Sequence, residues 1–185
     1  LVVTRGPGAG RVVVYGPAGR SEIVRVEQDD GPALYTYRVL EGEDPLGYAS
    51  DPAVRDLIGD PREADDWLDA TATTPWPDLV VQLPEFFDSP RAPDVYVTPA
   101  DGFGFTSGKA AGHGSLTRSE MVVPLVFAGP GVPRGHLRAA RTVDLAPTIL
   151  SYLGIPYDAE AMDGDDLGIA PSGLPAMRTL VPASN

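Results

Sequence analysis

Residues 101–120, DGFGFTSGKAAGHGSLTRSE, hold the densest set of groups able to do chemistry. They contain four glycines ahead of a histidine, a Gly-Lys pair, five hydroxyls and flanking carboxylates. Two chemistries suggest themselves, phosphate cradling and metal ligation. A phosphate loop needs G-x-x-x-x-G-K-[ST] between a strand and a helix. Gly108 and Lys109 supply the Gly-Lys, but Phe103 stands where the first glycine belongs and Ala110 where the magnesium-binding hydroxyl belongs. The frame also misses the dinucleotide spacing, so the phosphate reading is rejected. His113 sits between Gly112 and Gly114, after one expected strand and before another. Ligands at the carboxyl ends of sheet strands are a common arrangement. His113 is therefore the candidate metal ligand, although a zinc ion wants three or four protein ligands and one histidine cannot hold it.

The neighbouring groups carry weaker expectations. Asp101 reads as a turn residue or as a partner orienting an imidazole. Glu120 reads as part of a solvated stretch, and Lys109, Thr106 and Ser107 take no role. His136, in PRGHLRAA, is the only other histidine and reads as a surface residue.

These groups need a scaffold, and composition bounds it. The chain has 185 residues, enough for one domain with a sizeable core. With 14 basic and 26 acidic residues the net charge is −12, which argues against nucleic-acid polymers and anionic membranes as partners. There is no cysteine, hence no disulfide framework and no thiolate metal site. No apolar run reaches the roughly 20 residues of a membrane span. Glycine and proline, 21 and 20, are spread between folded patterns and indicate a loop-rich folded protein.

Valine- and tyrosine-rich runs bounded by Gly and Pro predict strands at 1–4, 11–15 and 21–27, with a fourth in ALYTYRVL. Ser50 or Asp51 is expected to cap a short helix through Ile58. Asp60 and Pro61 are expected to open a second helix. PDLVVQLPEFFDSP is consistent with a short helix turning Leu79, Leu83, Phe86 and Phe87 inward. Val95–Thr98 reads as a buried strand, and the apolar run Val122–Ala128 as a central one. TVDLAPTILSYLGIP is the clearest helix: Asp144 at its start, Pro147 in the first turn, an apolar stripe of Leu145, Ile149, Leu150 and Leu153, and Gly154 as the stop. This gives an antiparallel β element over 1–48, a helical connection over 49–92, an α/β part over 93–168 and a tail over 169–185.

Three motifs in series resemble the C-terminal signature of the alkaline phosphatase superfamily, closest to its type I phosphodiesterase and nucleotide pyrophosphatase branch. They are GHGSLTRSEMVVPLVFAGPGV, RTVDLAPTILSYLGIP and the Met162–Gly164 MDG. Order, spacing and residue types agree over about 55 residues, and GEDPLGY and PDLVVQLPEFFDSPRAPDVYVTP resemble connecting segments upstream. The resemblance implies an α/β fold, a mostly parallel sheet flanked by helices, joined here to the N-terminal antiparallel element. It implies two divalent metal ions, commonly zinc, held by Asp and His, with His113 as one ligand. It implies a Thr or Ser nucleophile, activated by the paired metals, that attacks a phosphate ester. Sulfatase-type and phosphomutase-type members are related alternatives.

The chain departs from the pattern by lacking the Asp-His-Gly motif that supplies further ligands, and no Thr or Ser before His113 stands in the nucleophile's context. It begins with Leu inside a strand-like run. The expectation is that nucleophile and remaining ligands come from an upstream part of the same protein, the alternative being a non-catalytic relic or interaction module. Either way, the chain alone is not expected to be an active hydrolase.

Overall fold

A computed structural model describes residues 1–100, 102–105, 114–137 and 139–169. It divides into two compact units, Leu1–Val123 and Pro124–Asn185.

The first unit is built on five strands: β1 (Val2–Arg5), β2 (Arg11–Tyr15), β3 (Gly19–Val26), β4 (Leu34–Gly42) and β5 (Val95–Val97). Their order is β4-β3-β2-β1-β5, and every neighbouring pair is antiparallel. The turns at 6–10, 16–18 and 27–33 are too short for the crossover that a parallel pair requires, so the first four strands must alternate in direction. Direct partners share a face. Val3 pairs Val14 and Val14 pairs Ser21, while Val12 pairs Ile23 and Ile23 pairs Tyr37. All six of these side chains are buried on one face.

That face is covered by α1 (Ala64–Thr71) and α2 (Leu79–Asp88). Trp67 of α1 is fully buried and its indole N–H donates to the Tyr35 carbonyl of β4 at 2.9 Å. Thr71 ties α1 to α2: its hydroxyl donates to the Trp67 carbonyl at 2.6 Å and accepts from the Asp78 N–H at 2.8 Å. Leu79, Leu83 and Phe87 face the core as the sequence predicts, but Phe86 is exposed. Between sheet and helices, the Asp44 carboxylate gathers the 44–49 loop. It accepts from the N–H groups of Leu46 at 3.0 Å and Ala49 at 2.7 Å, and from the Tyr37 hydroxyl.

The expected α/β class, with a mostly parallel sheet flanked by helices, is corrected. The sheet is wholly antiparallel, because β5 runs beside β1 in the opposite sense: Val2 opposite Val97, Thr4 opposite Val95. The second intended parallel strand, Val122–Ala128, forms no strand among the described residues. It finds no ladder partner there, and Val123 and Val126 are 65% and 82% exposed.

Two helix expectations shift as well. Residues 48–58 form two 3₁₀ turns, Tyr48–Ser50 and Arg55–Leu57, rather than one helix. Asp60 and Pro61 do not open α1, because Arg62 exchanges backbone hydrogen bonds with Tyr35, 2.8 and 3.0 Å, and holds the chain extended until Glu63.

In the second unit, α4 (Leu145–Tyr152) follows a 3₁₀ turn at Thr142–Asp144. It ends in a Schellman motif, with Gly154 N–H donating to Ser151 and Ile155 N–H to Leu150. Its buried side is Pro147 and Thr148, whereas Ile149 and Leu153 of the expected inward stripe are 46% and 48% exposed. Among the described residues no helix is long and apolar enough to cross a membrane.

Two predictions follow from this packing. Trp67→Ala removes a fully buried indole and one of the two hydrogen bonds to the Tyr35 carbonyl, so urea unfolding should show a loss of about 3–5 kcal/mol; an unchanged midpoint would contradict the assigned core. Burial, together with the hydrogen bond to Asp44, pushes the Tyr37 phenol above its ordinary value of 10.0, and burial does the same to Tyr48. Each folded-state pKa lies above the unfolded one, so this stabilisation is fully present below pH about 10 and is lost as pH rises beyond it. The alkaline fall in melting temperature should therefore be shallower in Tyr37→Phe than in the parent, and equal slopes would refute the linkage.

Candidate functional site

Both ends of the glycine-rich loop are anchored on β5. At its start, Thr98 is buried and exchanges backbone hydrogen bonds with Leu1, 3.0 Å from its N–H and 3.3 Å to its carbonyl. Ala100 then accepts from Phe103 N–H at 3.0 Å, and Phe103 and Phe105 are exposed. Asp101, Thr106, Ser107, Lys109, Gly112 and His113 lie outside the described residues.

The chain is described again from Gly114, the residue bonded to His113. Gly114 has φ +102°, and a Cβ there would meet no atom within 4 Å. Backbone conformation, not crowding, calls for glycine at this position. Its carbonyl accepts from the Tyr96 hydroxyl of β5. The next residue, Ser115, donates its N–H to Glu120 Oε2 at 3.0 Å. Its hydroxyl lies 3.5 Å from Thr98 Oγ1 and accepts from Thr117 N–H at 3.3 Å. Leu116 packs on the core of the first unit. The short helix α3 (Arg118–Met121) is fixed in turn by Arg118, whose N–H donates to the Pro75 carbonyl at 2.8 Å and whose guanidinium reaches the Ala72 carbonyl.

Glu120 is therefore more than part of a solvated stretch. Thr117-Arg118-Ser119-Glu120 has the S/T-x-x-E form of a capping box, a signal that could have marked it in the sequence. The carboxylate reaches past the N-cap Thr117, however, and binds Ser115 N–H. Tyr96 was not singled out in the sequence. Nothing in the residue types of VYV announces that its hydroxyl meets a backbone carbonyl at 114.

The second and third motifs form a clamp of their own. Asp144 is buried, and its carboxylate accepts from Arg141 N–H at 2.7 Å and Asp165 N–H at 3.0 Å. Thr148, also buried, accepts from Leu167 N–H at 3.0 Å through the hydroxyl that faces the Asp165 carbonyl at 3.4 Å. A Cβ on Gly164 would lie 2.3 Å from the Val143 carbonyl carbon and 2.6 Å from Asp144 N, so the two backbones touch only because residue 164 has no side chain. The spacing of Asp144, Thr148 and Gly164 thus has a structural explanation. The N-cap of α4, Asp144, carries an acceptor and its first turn carries the Thr148 hydroxyl, and together they tie down the 163–167 segment.

Among the described residues no three His, Asp or Glu side chains converge to hold a metal ion. His136 is exposed. A cavity of about 80 Å³ lies between the β1–β2 turn and the end of α2, lined in part by Arg5, Phe87 and Asp88. Its charged groups are engaged already, Arg5 over the Phe87 ring at 5.2 Å and Asp88 with Arg25.

The clamp can be tested by amide exchange. Asp144→Ala removes one acceptor from two backbone N–H groups, an effect of roughly 1–3 kcal/mol on local opening. The Asp165 and Leu167 amides should lose protection about tenfold or more, while those of β2 and β3 should not. Unchanged protection at Asp165 would show that the carboxylate is not what holds the segment. Comparisons with protein-family models, with curated proteins and with solved structures find no match for this chain.

Proposed function

We propose that this chain is the C-terminal part of a metal-dependent hydrolase of phosphate esters, similar to the type I phosphodiesterases of the alkaline phosphatase superfamily. The observation that carries the proposal is the residue series of residues 112–164, in which a glycine-flanked histidine, the VPL…GPG run, DLAPT and MDG follow one another at the family's spacing. It rests on that series alone; the antiparallel sheet is not the architecture that the resemblance implies.

In this reading His113 supplies one imidazole nitrogen to one of two divalent ions, and the nucleophile and the other ligands come from residues outside this chain. Bound divalent ions of this kind polarise a phosphoryl oxygen and lower the pKa of the attacking hydroxyl. Gly114 lets the chain turn immediately after the ligand, and Ser115 to Met121 return it to the first unit. The Asp144 clamp keeps its structural role.

The test is elemental analysis and ester hydrolysis with the complete protein. The parent should carry two divalent ions and cleave an aryl phosphate mono- or diester. His113→Ala should lose metal and at least about a hundredfold in activity, the scale on which removal of a metal ligand acts. A parent protein free of metal would favour a non-catalytic interaction module instead, and full activity of His113→Ala would sink the assignment.

A further inference from the structure

The cavity of about 80 Å³ between the β1–β2 turn and the end of α2 has walls of three kinds. Phe87 and Pro84 are apolar, the 8–10 stretch of the turn presents little but backbone, and Arg5, Arg11 and Asp88 bring charge. Asp88 would repel an anion if it stood alone. Its carboxylate is bound by the Arg25 guanidinium, which also reaches Glu27 at 2.7 Å. Arg11 is matched in turn by Glu22 at 2.6 Å. The charge left to act on a ligand is that of Arg5.

Arg5 is held but not saturated. Its Nη2 donates to the Ser89 carbonyl at 3.2 Å, and its guanidinium carbon lies 5.2 Å from the centre of the Phe87 ring. Among the described residues it makes no other hydrogen bond and no ion pair. A guanidinium carries five N–H donors in a rigid fork, four of them forming two paired edges. Nη2 gives one hydrogen to each paired edge, so one complete edge remains whichever hydrogen Ser89 takes. A complete edge binds two oxygens of one carboxylate or phosphate at once. The Ser89 bond and the ring contact also restrain the head group in advance, which lowers the ordering cost of binding.

The turn adds donors of its own. The N–H groups of Gly8, Ala9 and Gly10 donate to nothing among the described residues. Gly8 and Gly10 have φ +105° and +67°. Turns that mix left- and right-handed residues in this way bring successive N–H groups to one side, the geometry of backbone anion sites.

We infer that this cavity binds a small oxyanion, a carboxylate or a phosphate, through the free edge of Arg5 and the N–H groups of the 8–10 stretch. Phe87 and Pro84 lie against whatever apolar part the ligand carries. The site uses side chains of the first unit alone and does not depend on the proposed function.

The experiment is calorimetric titration of the complete protein with sodium phosphate and, separately, sodium acetate, at constant ionic strength with chloride as the balancing anion. The parent should bind at least one of the two saturably, and binding of phosphate alone, of acetate alone or of both names the oxyanion taken. Arg5→Met should weaken that binding about tenfold or more, the scale of hydrogen bonds to a charged group. Arg5→Lys keeps the charge without the fork and should weaken it several-fold. Phosphate held elsewhere in the complete protein is common to parent and variants and drops out of the comparison. Parent-like affinity of Arg5→Met for both ions overturns the inference, as does a heat that chloride alone reproduces. Should Arg5→Met melt well below the parent, Arg5→Lys decides, because undiminished affinity there shows that no paired edge grips the ligand.

Discussion

The first unit depends on one buried contact, the indole of Trp67 closing on the carbonyl of Tyr35. β4 is the edge of the sheet on that side, and Tyr35 also exchanges backbone hydrogen bonds with Arg62 just upstream of α1. The indole therefore joins the helix layer to the outermost strand at the point where the chain leaves one for the other. Thr71 carries the connection one turn further, accepting from Asp78 at the start of α2. The arrangement of β4, α1 and α2 follows from this short series of polar contacts made inside an apolar layer, where an unmatched donor or acceptor would be costly.

Much of the first unit was legible in the sequence. The β1–β4 strands announce themselves through Val/Tyr runs cut by Gly-Pro turns, and both signals are local. What was not legible is direction and burial. Val95–Thr98 reads as a buried strand whatever its neighbour, yet Val95 and Val97 are 50% and 46% exposed, and pairing with β1 depends on where a connection of about fifty residues returns the chain. The Val122–Ala128 run shows the same limit from the other side. An apolar run records an affinity for burial and says nothing about whether a partner strand is present, and among the described residues there is none.

The candidate site was legible in a different proportion. His113 stands out by type and spacing, but it lies outside the described residues, so its expected role is carried by the sequence alone. Asp144 was legible as a helix start and proved to be one side of a clamp, since the backbone it binds at Asp165 lies twenty-one positions away. Glu120 carried a signal in the T-x-x-E spacing, while Tyr96 carried none. Side-chain-to-backbone bonds across a fold depend on where the backbone is, and residue type alone does not encode that.

The brevity of β5 has a consequence for how the molecule meets other copies of itself. Among the described residues β5 forms one margin of the sheet, the kind of edge where open N–H and C=O groups invite a further strand. Only three residues are in ladder conformation there, and Pro93 and Pro99 stand on either side of them. Proline offers no donor, so an incoming strand would find a template scarcely longer than one β-bridge pair before its bonding ran out. The margin that carries Tyr96 toward the loop is in this way also protected against edge-to-edge aggregation.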